Sequence, residues 1–444
     1  MLARAQTLEP WLDAQHERAL RAMLMSVSPV DTVKSRPGFG QTVQPRRGSV
    51  VASPVLADWD PEPDYFFHWF RDSAVVIDAL RLLHQAGRLG AEALGHFSDF
   101  IDFSLSLRSL DGAALLAGRA WRERCSSEFE KFLRCESDLA NVGGDTVIAE
   151  ARVNPDATLD FSSWSRPQHD GAPMRALVAL RWMQALPLEA GLRARVSALV
   201  RSDLQFTARR WREPAYDIWE EEKGLHYYTL CLSAAALEDG ARWLQAEGEL
   251  ELADAYRTET RSMHEMLQGF WLSDSGYYRS RVLSSGARSS KELDIAVILA
   301  AVHANRDGAS HTVTDPRMHA TLDRLEALFD GTYAINLGRP EGRGPAMGRY
   351  AGDVYFSGGA YYFSTLGAAE FCFRAAARCP DTARWIERGD AFLETVRAYT
   401  PAGGEMSEQF DQRTGAQSSA RHLAWSYACF ISCVAARRAV LGHA

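Results

Sequence analysis

An all-α fold of twelve helices, paired as six helical hairpins and closed into an (α/α)6 toroid of two concentric rings, is what the sequence predicts. Three observations predict it. Apolar residues recur every three to four positions through most of the chain, and strand-like alternation is scarce. Segments that are apolar on most sides alternate with segments that carry a single apolar stripe. The connections alternate as well: those leaving odd helices are long and rich in Trp, Tyr, Gly and charge, and those leaving even helices are mostly short, such as Gln85 to Gly90 and Gln245 to Glu249.

The helices are expected to begin near Thr7, Arg71, Ala91, Gly171, Glu189, His226, Glu251, Lys291, Asp315, Gly358, Asp381 and Ser418. The even-numbered ones are apolar nearly all round, as in Ala74 to Leu83, Leu293 to Val302 and Leu423 to Val434. Charge studs the odd ones: Arg193, Arg195, Arg201 and Arg209 in the fifth, Glu251, Asp254, Arg257 and Arg261 in the seventh. A helix apolar all round is buried, and one with a single stripe lies at the surface. Six of each make two rings. An irregular all-α domain and a solenoid of helix pairs are the alternatives, but the repeated signature of a solenoid is missing. Consecutive helices in such a ring run antiparallel, so every long connection falls on one end, where function usually lives. Met25 to Pro63 and Asp111 to Asp170 are expected to hold irregular structure and a short hairpin. Residues 1–444 read as one domain.

A chain of 444 residues, 46% apolar, can bury a large core. A net charge of −8 with scattered arginines argues against nucleic acid or an anionic membrane as partner. The seven cysteines form neither a Cys-x-x-Cys pair nor a metal-ligand cluster with histidine, which suggests free thiols in a reducing compartment. The first twenty residues have no apolar core of signal-peptide length, and Ile295 to Val302 is too short to span a bilayer. A soluble cytoplasmic protein is expected, unless a leader has been removed. No acidic loop has EF-hand spacing, and neither metal nor cofactor is called for.

The chemistry gathers in five loops. In Tyr216-Asp217-Ile218-Trp219-Glu220-Glu221-Glu222, a carboxyl packed against indole in a closed pocket would have its charged form disfavoured and could hold a proton near neutrality. A general acid needs that, although an acidic triplet alone equally suits a helix N-terminus. In Tyr65-Phe66-Phe67-His68-Trp69-Phe70-Arg71-Asp72, the adjacent Arg71 and Asp72 offer donor and acceptor among aromatics, which suits a polyhydroxylated ring. The alternative is a pair capping the helix, and His68 reads as a packed histidine rather than a ligand. Ser163-Trp164-Ser165 and Gly348-Arg349-Tyr350 to Asp353 repeat the polar and aromatic recipe. In Met406-Ser407-Glu408-Gln409-Phe410-Asp411, Glu408 sits among small polar residues that leave a carboxylate ionised. One carboxyl suited to hold a proton and one suited to lack it is the arrangement of glycoside hydrolysis.

With these motifs in this order, the chain resembles the catalytic domain of glucoamylases, glycoside hydrolase family fifteen, the fungal ones in particular. The resemblance runs from Pro10-Trp11-Leu12 through Gly48-Ser49-Val50-Val51-Ala52-Ser53-Pro54 and the loops above to Asp411. It implies an exo-acting inverting α-glucosidase that releases β-glucose from the non-reducing ends of malto-oligosaccharides or soluble starch. By motif, Glu220 would be the general acid and Glu408 the general base. Arg71, Asp72 and Arg349 would grip the terminal glucose and Glu221 the next sugar. Tyr65 and Trp425 would wall the site, Trp164 would help close it, and Trp69 and Trp219 would be among the substrate-binding residues. Asp217 would support the acid loop, and Asp353 would lie further out. Inversion needs carboxyls about 6.5–9.5 Å apart. Glu222-Lys223, Gly359-Ala360-Tyr361 and His169 depart from the fungal pattern and are expected at outer sugar sites. The family's starch-binding domain and its linker are not in this sequence, so a soluble oligosaccharide is the expected substrate. Two other readings remain: an α-glucosidase of different linkage, acting on isomalto-oligosaccharides or trehalose, and a non-catalytic sugar-binding regulator.

Overall fold

The computed structural model describes residues 2–442 except 60 and 119. Its α-helices are α1 (Leu2–Leu24), α2 (Phe70–Gln85), α3 (Glu92–Ser106), α4 (Gly112–Ala117), α5 (Ala120–Glu123), α6 (Glu136–Ala140), α7 (Gly171–Ala185), α8 (Ala190–Arg210), α9 (Tyr227–Ala246), α10 (Leu250–Gln268), α11 (Ala296–Ala304), α12 (Pro316–Thr332), α13 (Tyr362–Ala376), α14 (Thr382–Tyr399) and α15 (Ala424–Leu441). The twelve long helices are the expected ones; α4, α5 and α6 are short additions inside the connection 111–170. Burial follows the expected alternation. Every residue of α11 is buried, and α13 is buried throughout except at Arg374, whereas α8, α12 and α14 bury one face.

Helix starts follow local chemistry. At α12 the Asp315 carboxylate accepts from the Arg317 N–H at 2.8 Å, and Pro316 fills the first position, where no donor is needed. Glu189 caps α8 the same way, accepting from Leu192 N–H at 3.0 Å.

The chain divides into two compact units, one of residues 25–223 and 236–256, the other of residues 1–24, 224–235 and 257–444. In the first, α2 packs on α7, and α7 and α3 pack on α8. Trp182 of α7 lies flat on Phe97 of α3 (centroids 4.5 Å apart) and donates its indole N–H to the Ile77 carbonyl of α2. Arg175 of α7 and Asp203 of α8 form a buried two-pronged ion pair at 2.8 and 2.7 Å. An antiparallel hairpin joins Lys34–Arg36 to Gln41–Val43 in the connection before α2. A second short pairing, His68–Trp69 with Arg152–Val153, ties the start of α2 to the connection before α7.

In the second unit α13 packs against α11, α14 and α15, and α1 against α15. Glycine permits close approach at two places. A Cβ on Gly367 of α13 would lie 2.4 Å from Leu299 of α11, and one on Gly389 of α14 would lie 2.6 Å from Phe373 of α13. A three-stranded antiparallel sheet of Ala360–Tyr361, Gln409–Phe410 and Gln417–Ser418 sits ahead of α13 and α15. It displaces two expected helix starts, from Gly358 to Tyr362 and from Ser418 to Ala424. Among the described residues no helix is long and apolar enough to cross a membrane, and all seven cysteines are free.

Candidate active site

The loop after β-strand Ala215–Tyr216 is folded around Asp217. Its buried carboxylate accepts the backbone N–H groups of Glu221 and Glu222, both at 2.8 Å, and of Trp219 at 3.4 Å. That turn sets Glu220 in the left-handed region at φ 65, a conformation costly for a residue with a Cβ and found where surrounding structure imposes it. The Glu220 carboxyl is held at both oxygens: Trp69 Nε1–H donates to Oε1 at 2.8 Å and Trp164 Nε1–H to Oε2 at 2.6 Å. Ser165 fixes the backbone by donating to the Glu220 carbonyl at 2.5 Å. The expected indole environment is therefore present, but supplied by Trp69 and Trp164 from distant positions, and as hydrogen-bond donors rather than as apolar surface alone. Burial raises the Glu220 pKa; the Arg71 and Arg152 cations and the Trp69 donor oppose the rise without cancelling it. A carboxyl so placed can carry a proton at a pH where an ordinary glutamate cannot.

Beside it, Arg71 is forked between Asp72 at 2.9 Å and Asp170 at 3.1 Å, all three buried. Tyr65 packs on Trp69 with centroids 5.2 Å apart. Trp59, 43% exposed, lies against the Trp164 ring at 6.0 Å and extends the aromatic wall outward. Trp219 is buried and Glu221 half-buried.

In the other unit, Glu408 is the residue before the strand Gln409–Phe410. Its N–H donates to Ala420 O at 2.8 Å, and Ser419 donates a short hydrogen bond to its Oε2. The small polar neighbourhood expected of it is thus a specific donor. Arg349 grips Asp353 with two prongs, 2.7 and 2.6 Å, while the Tyr361 hydroxyl donates to the same carboxylate at 2.9 Å and Tyr355 N–H at 2.9 Å. Asp353 is buried and aims Arg349. Trp425 lies flat on Phe363 (4.4 Å, 6°) at the start of α15. Among the described residues no group of three or more His, Cys, Asp and Glu could hold a metal ion.

The family model described as glycosyl hydrolases family 15 matches residues 150–387 and 380–435. The chain belongs to that family. Curated relatives include the glucoamylase of Neurospora crassa, 28% identical over 88% of this chain, and the probable glucoamylase of Schizosaccharomyces pombe, 26% identical over 98%. The chain spans 63% of the former's length and 93% of the latter's. Among solved structures it is similar to the family 15 glucoamylase of Hypocrea jecorina, with TM-score 0.78 at 24% identity, covering 98% of this chain and 73% of that one. That likeness shows the fold: the all-α (α/α)6 class expected from the alternating helices.

Within this family 15 chain, several residues escaped the sequence reading. Asp170 shares Arg71, and Tyr361 was expected at an outer sugar site yet is fully buried on Asp353. His169, expected at an outer site too, is buried edge-on against Phe206 of α8, and burial lowers its pKa to about 4, so it is a neutral packing residue. Arg152, wholly buried, sits beneath the two tryptophans that hold Glu220. A charged residue flanked by Ala151 and Val153 in a short apolar run was the only signal for it.

Proposed function

We propose that the chain is an exo-acting, inverting α-glucosidase of the glucoamylase type, releasing β-D-glucose from the non-reducing ends of malto-oligosaccharides or soluble starch. The observation that carries the reading is the Glu220 carboxyl, held at both oxygens by indole N–H groups and raised in pKa by burial. Family membership and the glucoamylase names of its relatives support the same reading.

In this mechanism Glu220 gives its proton to the glycosidic oxygen as the bond to the anomeric carbon breaks. Glu408 takes a proton from the water that attacks the opposite face of the ring, so one displacement inverts the configuration. Ser419, donating to one Glu408 oxygen, orients the carboxylate. Arg71 with Asp72 and Asp170, and Arg349 with Asp353, present rigid donor forks to sugar hydroxyls, and a planar fork held on buried carboxylates loses little freedom on binding. Nothing in these steps requires a cofactor.

Initial rates of glucose release from maltotriose, isomaltose and trehalose test the linkage. Maltotriose is expected to be fastest by at least about tenfold, a difference of about 1.4 kcal/mol in transition-state binding. A preference of that size for isomaltose or trehalose would reassign the substrate. Sugar binding by calorimetry without turnover of any of the three would make the chain a binder.

A further inference from the structure

We propose that Arg152 is a positioning residue for the acid, acting through Trp69 and Trp164: its buried guanidinium is the platform on which both indoles rest, and its charge faces the carboxyl they hold. The inference rests on the reading of Glu220 as the general acid.

The geometry is specific. Arg152 and Trp69 are cross-strand partners, so the short pairing of His68–Trp69 with Arg152–Val153 places one directly beside the other. The guanidinium carbon lies 3.6 Å from the centroid of the Trp164 ring, 4.8 Å from that of Trp69 and 4.0 Å from that of Phe67. Aromatic faces at these distances attract a cation and fix the planes of both partners. The group is itself locked, donating from Nε to Asp160 at 2.8 Å and from Nη2 to Ser162 at 3.1 Å. Its Nη1 is buried with no hydrogen-bond partner among the described residues. Each indole then donates to a different oxygen of Glu220. Through these contacts one guanidinium sets the plane of the carboxyl.

Charge points the same way. The buried cluster beneath the tryptophans holds the cations Arg134, Arg152 and Arg166 and the carboxylates Glu150 and Asp160, three positive groups against two negative. Burial pushes the Asp160 carboxyl up, but Arg152 and Arg166 outweigh it and keep the group ionised. The one surplus cation has the Glu220 carboxyl as a further neighbour and favours its ionised form. Arg71 and Asp72 of α2 are further charged neighbours of Glu220, and Arg71 is shared with Asp170. Glu220's own loop contributes Asp217, Glu221, Glu222 and Lys223, of which Asp217 is buried on backbone N–H groups. Arg36, on the Phe67 ring, is neutralised by Asp64 at 2.6 Å. A cation favours the ionised acid, so removing Arg152 moves the Glu220 pKa up and leaves the indoles without their platform.

The test is the pH profile of kcat/KM on maltotriose for the parent, R152M, R152K and E220Q. In R152M, Asp160 keeps Arg166 at 2.9 Å, so no buried carboxylate is stranded. The high-pH limb is expected to move up by about one unit, a tenfold change in proton affinity. At the optimum kcat is expected to fall at least about tenfold, since misplacing a catalytic group by about 1 Å can cost a hundredfold. R152K restores the charge without the planar stack; its limb is expected to return to the parent position while kcat stays low. Should R152M not fold, R152Q removes the charge but can still bond Asp160 and Ser162, and the same limb is read. A limb in the charge-removing variant that stays within about 0.2 unit of the parent's, when E220Q abolishes that limb, overturns this inference alone. A limb that survives in E220Q overturns the acid assignment, and this inference with it.

Discussion

Glu220→Gln is expected to lower kcat on maltotriose by about 10²–10⁴-fold, the usual contribution of a general acid. The amide keeps the size of the side chain, and KM is expected to change little. It cannot give a proton to the leaving oxygen, and one of the two indole donors now faces an NH2 group instead of an acceptor. Two further readouts separate lost acid from lost packing. Glu220 works protonated, and burial raises its pKa, so in the parent kcat/KM falls as pH rises through that raised value. The amide does not titrate, and the high-pH limb should vanish. An α-glucoside whose leaving group needs no proton, such as the fluoride, should be hydrolysed by E220Q at a rate within about tenfold of the parent. Equal losses on fluoride and on maltotriose would show that the substitution broke the site rather than removed its acid.

Glu408→Gln is expected to cost a similar factor, about 10²–10⁴ in kcat, by a different route. A base is needed to take a proton from the attacking water, and the amide cannot take it. The fluoride should not rescue this variant, because water activation is required whatever the leaving group. A small anion that needs no deprotonation, such as azide, should restore glycosyl transfer and give the β-glycosyl azide. The amide can still accept from Ser419, so sugar affinity measured by calorimetry should stay within a few-fold of the parent. Turnover near the parent value would remove Glu408 from the mechanism.

The long helices were legible because each writes its burial into a period that local sequence carries. α11, buried at every position, reads as an uninterrupted apolar run, and α12 alternates Leu322, Leu325 and Leu328 with charge. The errors fall where a distant partner overrides local preference. Lys291, Glu292 and Leu293 are good helix formers, yet α11 begins only at Ala296. The Glu292 carboxylate is taken by Arg288 and by Tyr277 at 2.9 Å, and Asp294 is tied to Arg281. Residues 360–361 and 417–418 are drawn into the sheet that carries Gln409–Phe410, which no helical period could announce.

The same distinction separates what was found of the site from what was missed. Glu220, Glu408, Arg71 and Arg349 stand in motifs contiguous in sequence. Arg152 acquires its place only when a strand pair sets it opposite Trp69, and Asp170 only when the N-terminal end of α7 comes up to Arg71. The acid's indoles were sought next door, at Trp219, and came instead from 151 and 56 residues away.

A single displacement with Glu220 as acid and Glu408 as base inverts the anomeric carbon, so the anomer first released decides between this mechanism and retention. Proton NMR of maltotriose hydrolysis, read within minutes before mutarotation, is expected to show β-glucose rising first, with the α-anomer appearing only as the sugar equilibrates. α-Glucose as the first product would mean retention through a covalent intermediate, and would contradict the roles of both glutamates.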